Sequence, residues 1–339
     1  MVPVFNIERF VTRCISSIGL QYFDECGEII VVDDGSTDQT EFVLEDLSKR
    51  MKRLRIVRQP NSGLGAARNR GLEEAQGDYV WFVDGDDFLQ AHAVEKVLSA
   101  LSTQAPDVLA VDFSCANEDG KAIEWIACPF GADHGKTMAG GEFFRRHHAT
   151  TYAWLYVFRR ELLVEHGLSF QPRINMQDAE LLPRVMAVAR KVFVSGIDAY
   201  VYVKRAGSFI NNPDLEVREQ YFRSVIEVRR RLADFLEGLV EPAIREGVIA
   251  KLNAINRILL MAYVYDPLDA SALSDRLTLL RSEGIHPFAP LIGAGLKVSC
   301  LRVAVNLQPT LFPKIYRWLR TQSSLRYMVA HARRQGKTA

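Results

Sequence analysis

Cysteine is sparse in this 339-residue chain, and none of it sits in an arrangement that does chemistry. Cys14, Cys26, Cys115, Cys128 and Cys300 are dispersed, odd in number and never spaced C-x-x-C. That excludes a disulfide framework and a cysteine zinc site, and fits a reducing compartment. The stretch MVPVFNIERF has neither the basic nor the apolar region of a secretory leader. No window offers about 20 uncharged apolar residues, so a spanning helix is not expected. A formal net charge of +1 gives no reason to expect a nucleic-acid partner. Internal repeats and low-complexity stretches are lacking too. The remaining absence is local. After Glu283 there is no Asp or Glu, while nine Lys or Arg follow, so the first 283 residues carry a net charge of −8.

What is present starts with an alternation of strand and helix over residues 1–110. EIIVVDD (28–34) is a β-branched run ending in acids, and STDQT opens a helix with Ser36 and Gln39 spaced as a capping box. LRIVRQ (54–59), YVWFVD (79–84) and DVLAVDF (107–113) read as strands, and 64–75 and 92–101 as helices between them. Strands apolar on both faces imply an α/β layered sheet, whose ligands gather at strand carboxyl ends. Asp33/Asp34 and Asp84/Asp86/Asp87 both fall at such ends. Residues 114–210 are less regular, with short helices and Gly- and Asp-rich loops. Beyond Asp214, the residues Tyr221, Val225, Val228, Leu232, Phe235 and Leu239 recur at spacings of four and three, an amphipathic stripe.

Asp84-Gly85-Asp86 offers two carboxylates on a tight turn, an oxygen set that suits Mg²⁺ or Mn²⁺. Alone, so short a pattern is more often a solvated turn. Here it has company. VVDDGSTD (31–38), QPNSGLGAARNRG (59–71) and YVWFVDGDDF (79–88) follow one another at βα spacing, and NMQDAELLPRV (175–185) and YVYVKRAGS (200–208) come later. On these motifs residues 1–209 resemble a family 2 glycosyltransferase of the bacterial cell-surface polysaccharide type. The resemblance implies a GT-A fold, α/β with a mostly parallel sheet flanked by helices, here followed by a helical C-terminal region.

The resemblance also implies roles. Pro3, Phe5 and Asn6 lie beside the nucleotide base, and Asp34 accepts the base N–H, which favours a UDP-sugar donor. Asn61, Gly63 and Arg68 belong to the donor site, with Arg68 facing the nucleotide. Asp86 ligates the metal directly, and Asp84 stands near the ribose or a metal-bound water. Asp178 is the catalytic base, and Arg205 closes over the diphosphate. The implied activity is inverting, Mn²⁺- or Mg²⁺-dependent transfer of a sugar to a hydroxyl of a glycan or lipid-linked glycan.

Chemistry alone points the same way. A nucleoside diphosphate leaves as charge builds on it, and a cation and an arginine offset that charge. The acceptor hydroxyl loses its proton to a carboxylate across the anomeric carbon. One carboxylate at the metal and one as base give a single displacement with inversion. A nucleotidyltransferase on a sugar phosphate, or a non-catalytic nucleotide- or glycan-binding scaffold, would use much of the same sheet. A dehydrogenase is disfavoured, because Arg68 stands where GLGAAR would need its third glycine. Other features have plain readings: His147-His148 as a surface pair, Trp154 and Tyr156 as core or acceptor wall, Glu180 as helix-stabilising or acceptor-contacting, and Asp178 itself as a helix cap.

Three departures from the family pattern stand out. Only Met1 and Val2 precede Pro3, which points to a start assigned late or truncated. Gln177 replaces the commoner Glu before the base. Leu155-Tyr156 follow Trp154 where Asn-Lys is usual, leaving the acceptor side least specified.

These patterns divide the chain into a catalytic domain (1–210), a helical extension (211–283) and a basic amphipathic tail (284–339). In the tail, Leu291, Ala294, Val298, Leu301 and Val305 form one stripe, and residues 314–334 mix aromatics with six basic side chains. Such segments suit an anionic membrane surface, and otherwise would pack on the body. The expectation is a cytoplasmic protein, peripheral on the inner face of the membrane.

Overall fold

The computed structural model describes residues 1–19, 27–124, 130–205 and 214–316. The described residues fall into two compact units, one drawn from 1–211 with 234–249 and the other from 212–233 with 250 onward. Residues 234–249, the tip of a helical hairpin, therefore belong with the amino-terminal unit.

In the first unit, β1 (Val2–Val4), β2 (Ile29–Asp33) and β3 (Leu54–Arg58) form a parallel sheet in that order. Helices α1 (Val11–Gly19), α2 (Thr40–Arg50) and α3 (Leu64–Glu74) alternate with them. All of β2 is buried, as its unbroken β-branched run requires. The register sets Val4 opposite Asp33 and Asp33 opposite Arg58, so these strands end at one level. Helix α2 begins at Thr40 with Gln39 as its cap residue; the Gln39 side chain makes no cap bond and Asp38 Oδ1 accepts from the Thr40 N–H at 2.9 Å, so the expected capping box does not form. Ser36 instead turns its hydroxyl to the Asn6 N–H at 3.1 Å.

A second sheet runs β4 (Tyr79–Trp81), β8 (Tyr156–Arg159), β6 (Val108–Asn117), β9 (Val192–Lys204) and β5 (Phe88–Leu89), with β7 (Thr137–Met138) also on β9. The pair β6–β9 is parallel and the other pairs are antiparallel. The first sheet is wholly parallel, and the second is mixed around the parallel β6–β9 pair. Met1 joins the two: its amino group donates to Trp81 O, and its carbonyl accepts from Val83 N, each at 2.9 Å. Around these strands lie α4 (Ala93–Gln104), α5 (Gly140–His147), α6 (Arg160–Glu165) and α7 (Gln177–Val188). Phe82, Phe158 and Phe170 fill the core, ring centroids of Phe82 and Phe170 5.0 Å apart.

The second unit takes most of α8 (Leu215–Glu237) and α9 (Pro242–Tyr265), with α10 (Ala270–Ser282) and α11 (Leu296–Leu307). Val225, Val228 and Leu232 of the expected stripe are buried. Its interior holds Arg276, stacked 4.2 Å over Phe222 and paired with Glu219 and Asp266 at 2.8 Å each. By length and composition α9 alone among the described residues could cross a bilayer, and Ile255, Leu259, Leu260 and Tyr263 on it are buried. Most of the segment 314–334 lies outside the described residues.

Candidate active site

The acids after β4 occupy a turn closed by the Asp87 N–H on Asp84 O at 3.0 Å. Gly85 is required there by proximity, since a Cβ would come within 2.5 Å of Ile7 Cδ1 and 2.9 Å of Val4 Cγ1. The three carboxylates then meet different partners. Asp84 Oδ1 accepts from Arg68 Nη2 at 2.6 Å. Asp86 Oδ2 pairs with Arg205 Nη2 at 2.7 Å. Asp87 is buried, accepting from Tyr200 Oη at 2.6 Å and from the Val203 N–H at 2.7 Å. Tyr200 Oη also accepts from the Asp84 N–H at 3.2 Å, so one hydroxyl fixes both ends of the turn. Burial raises the pKa of Asp86, opposed by Arg205 and reinforced by Asp84. Burial lifts Asp87 well above the carboxylate range, with Asp86 and Asp84 adding to it.

A cavity of about 230 Å³ opens in front of this turn, lined by Pro3, Phe5, Asp34, Asp84, Asp86 and Arg205 together with Val4, Ile7, Leu64, Ala67 and Gly85. Two other cavities are larger, about 490 Å³ beside Asp107 and Arg159 and about 340 Å³ among apolar side chains such as Ile29 and Val80. The smaller one alone gathers the strand-end acids, and the chemistry follows the acids.

Several expected donor residues do other work. Asn6, left-handed at φ 52°, accepts from the Thr37 N–H at 2.7 Å and so pins the loop before α2. Asp34 lines the cavity, yet it also organises the next loop, accepting from Gln59 Nε2 at 2.7 Å and from the Ser62 and Gly63 N–H groups at 2.8 Å. Gly63, at φ 88°, takes a conformation open only to glycine as it turns its N–H to Asp34. Asn61 is exposed in that loop, outside the cavity lining.

Arg68 corrects the expectation most. Its side chain is 2% exposed and lies beneath the cavity, 5.2 Å over the Phe170 ring, so it does not face a nucleotide. Burial works against its charge, but Asp84 and Asp178 outweigh that and raise its pKa. Buried Gln177, with its amide turned to satisfy both neighbours, accepts from Arg68 Nη1 at 3.1 Å and donates to Ile174 O at 3.0 Å. Arg68 thus holds the strand-end turn and the start of α7 together.

Asp178 is half-buried in the first turn of α7, one residue inside the helix that Met176 caps, where the helix dipole favours its anion. Its Oδ2 accepts from the Ala153 N–H at 3.4 Å. Glu180 is buried and paired with Arg184 at 2.8 Å, a helix-stabilising role. Trp154 and Tyr156 are both buried, so neither forms a wall. The exposed aromatic is Tyr152, stacked on Trp154 at 5.3 Å; Trp154 in turn stacks on Tyr200 at 4.3 Å. Burial and the charge of Asp178 both raise the Tyr152 pKa, which places its hydroxyl in that acid's field. The histidines have different partners: His147 packs inward on Phe130 with Nε2 3.0 Å from Asp133, while half-buried His148 has Nδ1 3.4 Å from Arg145 O. Ser208 lies outside the described residues.

Strand-end acids at a cavity beside β1 and β2, with an acid at a helix start coupled to them through Arg68, stand in an α/β fold whose class the comparisons give. Residues 1–166, just under half of the chain, match the model for glycosyl transferase family 2 and carry a domain of that family. The chain is similar to the uncharacterized glycosyltransferase EpsJ of Bacillus subtilis, 28% identical over 65% of this chain and 66% of that protein, just under two thirds of its length. The fold resembles that of Staphylococcus aureus TarS in complex with UDP-GlcNAc, with a TM-score of 0.60 at 20% identity over 84% of this chain and 87% of the other. It also resembles the mannosyltransferase PcManGT of Pyrobaculum calidifontis in complex with GDP-Man and Mn²⁺, with a TM-score of 0.51 at 16% identity over 94% and 82%. The fold is therefore GT-A.

Proposed function

We propose that this chain transfers a sugar, with inversion, from a nucleoside-diphosphate donor of the UDP type to a hydroxyl of a glycan or lipid-linked glycan in cell-surface polysaccharide assembly. The observation that carries this is the cavity in which Pro3, Phe5, Asp34, Asp84, Asp86 and Arg205 meet, with Asp178 coupled to it through Arg68. The UDP-GlcNAc complex of the TarS relative supports the donor class.

Asp84 and Asp86 fit Mn²⁺ or Mg²⁺. They offer oxygen alone, and ions of this kind take their remaining ligands from phosphate and water. Among the described residues no group of three metal-binding side chains forms a closed site. The Mn²⁺ in the PcManGT complex supports the same choice. When bound, the cation offsets the charge of the departing diphosphate. The protein's own groups do the rest. Arg205 neutralises Asp86 in the free protein and is placed to turn onto a diphosphate. Asp178 takes the proton of the attacking hydroxyl as general base. Tyr152 offers the acceptor an exposed ring beside that acid.

Thermal stability with UDP, GDP, CDP and dTDP, each with and without Mn²⁺, tests the reading. The expected result is a raised midpoint with one diphosphate, UDP, and only when metal is present. No shift with any of the four would overturn it.

A further inference from the structure

Helix α11 is apolar on two opposite sides. Leu301 and Val305 are buried, with Val298 half-buried beside them. Leu296 is 81% exposed, Leu307 73% and Val303 45%, and Cys300 is exposed among them. At 3.6 residues per turn these four share an arc of about 60°, opposite the buried three. Ile292 before the helix and Leu311 and Ile315 after it are exposed as well. One side of such a helix packs on its own unit, and the other is a contiguous apolar surface of the kind that marks an interaction site.

Charge selects the occupant. Lys297 and Lys314 are exposed within this stretch, and from residue 284 onward nine basic residues are offset by no acid. Two copies meeting through the face would bring like charges together with nothing to neutralise them. An anionic bilayer accepts both features at once: the apolar side chains enter the boundary between headgroups and acyl chains, and the cations lie against lipid phosphates. We infer that the exposed face of α11, with Leu311 and Ile315 beyond it, docks on an anionic lipid surface. The inference goes beyond the glycosyl-transfer reading and is tested without donor or turnover, so each can fail alone.

The test floats the full-length protein with vesicles of phosphatidylcholine alone and of phosphatidylcholine mixed with phosphatidylglycerol. Wild type is compared with the triple variant Leu296→Gln, Val303→Gln, Leu307→Gln, whose fold is checked by its thermal midpoint. Wild type is expected to float with the anionic vesicles, and the variant to partition at least about tenfold less. Raising the salt to about 0.5 M is expected to weaken wild-type flotation by screening the cations. Equal flotation of the two proteins would overturn the proposal by placing the lipid contact elsewhere. So would a wild type that ignores vesicles, whether it stays monomeric or forms a dimer that the triple variant dissociates.

Discussion

On the donor side three neighbouring acids each have a partner of their own, Arg68, Arg205 and Tyr200. On the side proposed for the acceptor, Asp178 has backbone N–H groups, a helix start and an exposed aromatic ring nearby. The first arrangement neutralises charge until a ligand brings its own. In the proposed mechanism the second supplies the carboxylate that accepts a proton. Buried Arg68 and the Tyr152–Trp154–Tyr200 stack link the two, so each can be disturbed separately or through the link.

The largest effect is expected on the acceptor side. Asp178→Asn is predicted to lower kcat by about 10³-fold, within the usual range for loss of a general base, while UDP binding stays intact. A steady-state assay beside a thermal-shift titration reads both. Next comes the link. Arg68→Ala leaves Asp84 without its buried counter-ion, and is predicted to destabilise the fold by about 3–5 kcal/mol in denaturant unfolding. On the donor side Asp86→Ala is predicted to abolish the metal-dependent stabilisation by UDP, about 2.7 kcal/mol at 100 times the dissociation constant. Tyr200→Phe removes the hydroxyl that serves both Asp87 and the Asp84 N–H, and is predicted to cost about 1–3 kcal/mol in thermal unfolding. The smallest effect is Tyr152→Ala, predicted to raise the acceptor KM roughly fivefold through loss of about 1 kcal/mol of ring contact. Tyr152→Phe should leave that constant unchanged.

The two sides also differed in how far they could be read from the sequence. β2, β3, α3 and the strand-end acids were legible because each is signalled by neighbours within a few residues: a β-branched run, an Ala-rich stretch, a D-x-D. What failed was long-range. β9, at 13 residues, lies in a region expected to be irregular, and its pairing with β6 sets Tyr200 opposite Phe113. No local pattern announces that Tyr200 closes onto Asp87, 113 residues away. Arg68 matched a motif, but a motif does not say which way a side chain turns, and the pull of Asp84 and Asp178 drew it under the cavity. Asn6 likewise has a long-range partner that no local pattern announces, its amide oxygen holding the loop before α2. Burial, which local spacing does not report, separates exposed Tyr152 from buried Trp154 and Tyr156.

The most direct measurement sets Asp86→Ala beside Asp178→Asn and titrates each with UDP in the presence of Mn²⁺ by calorimetry. Donor binding is predicted to vanish in the first variant and to remain at wild-type strength in the second, which nevertheless turns over donor about 10³-fold more slowly than wild type. Loss of binding in both, or in neither, would contradict a site divided between a charge-paired donor side and a separate catalytic base.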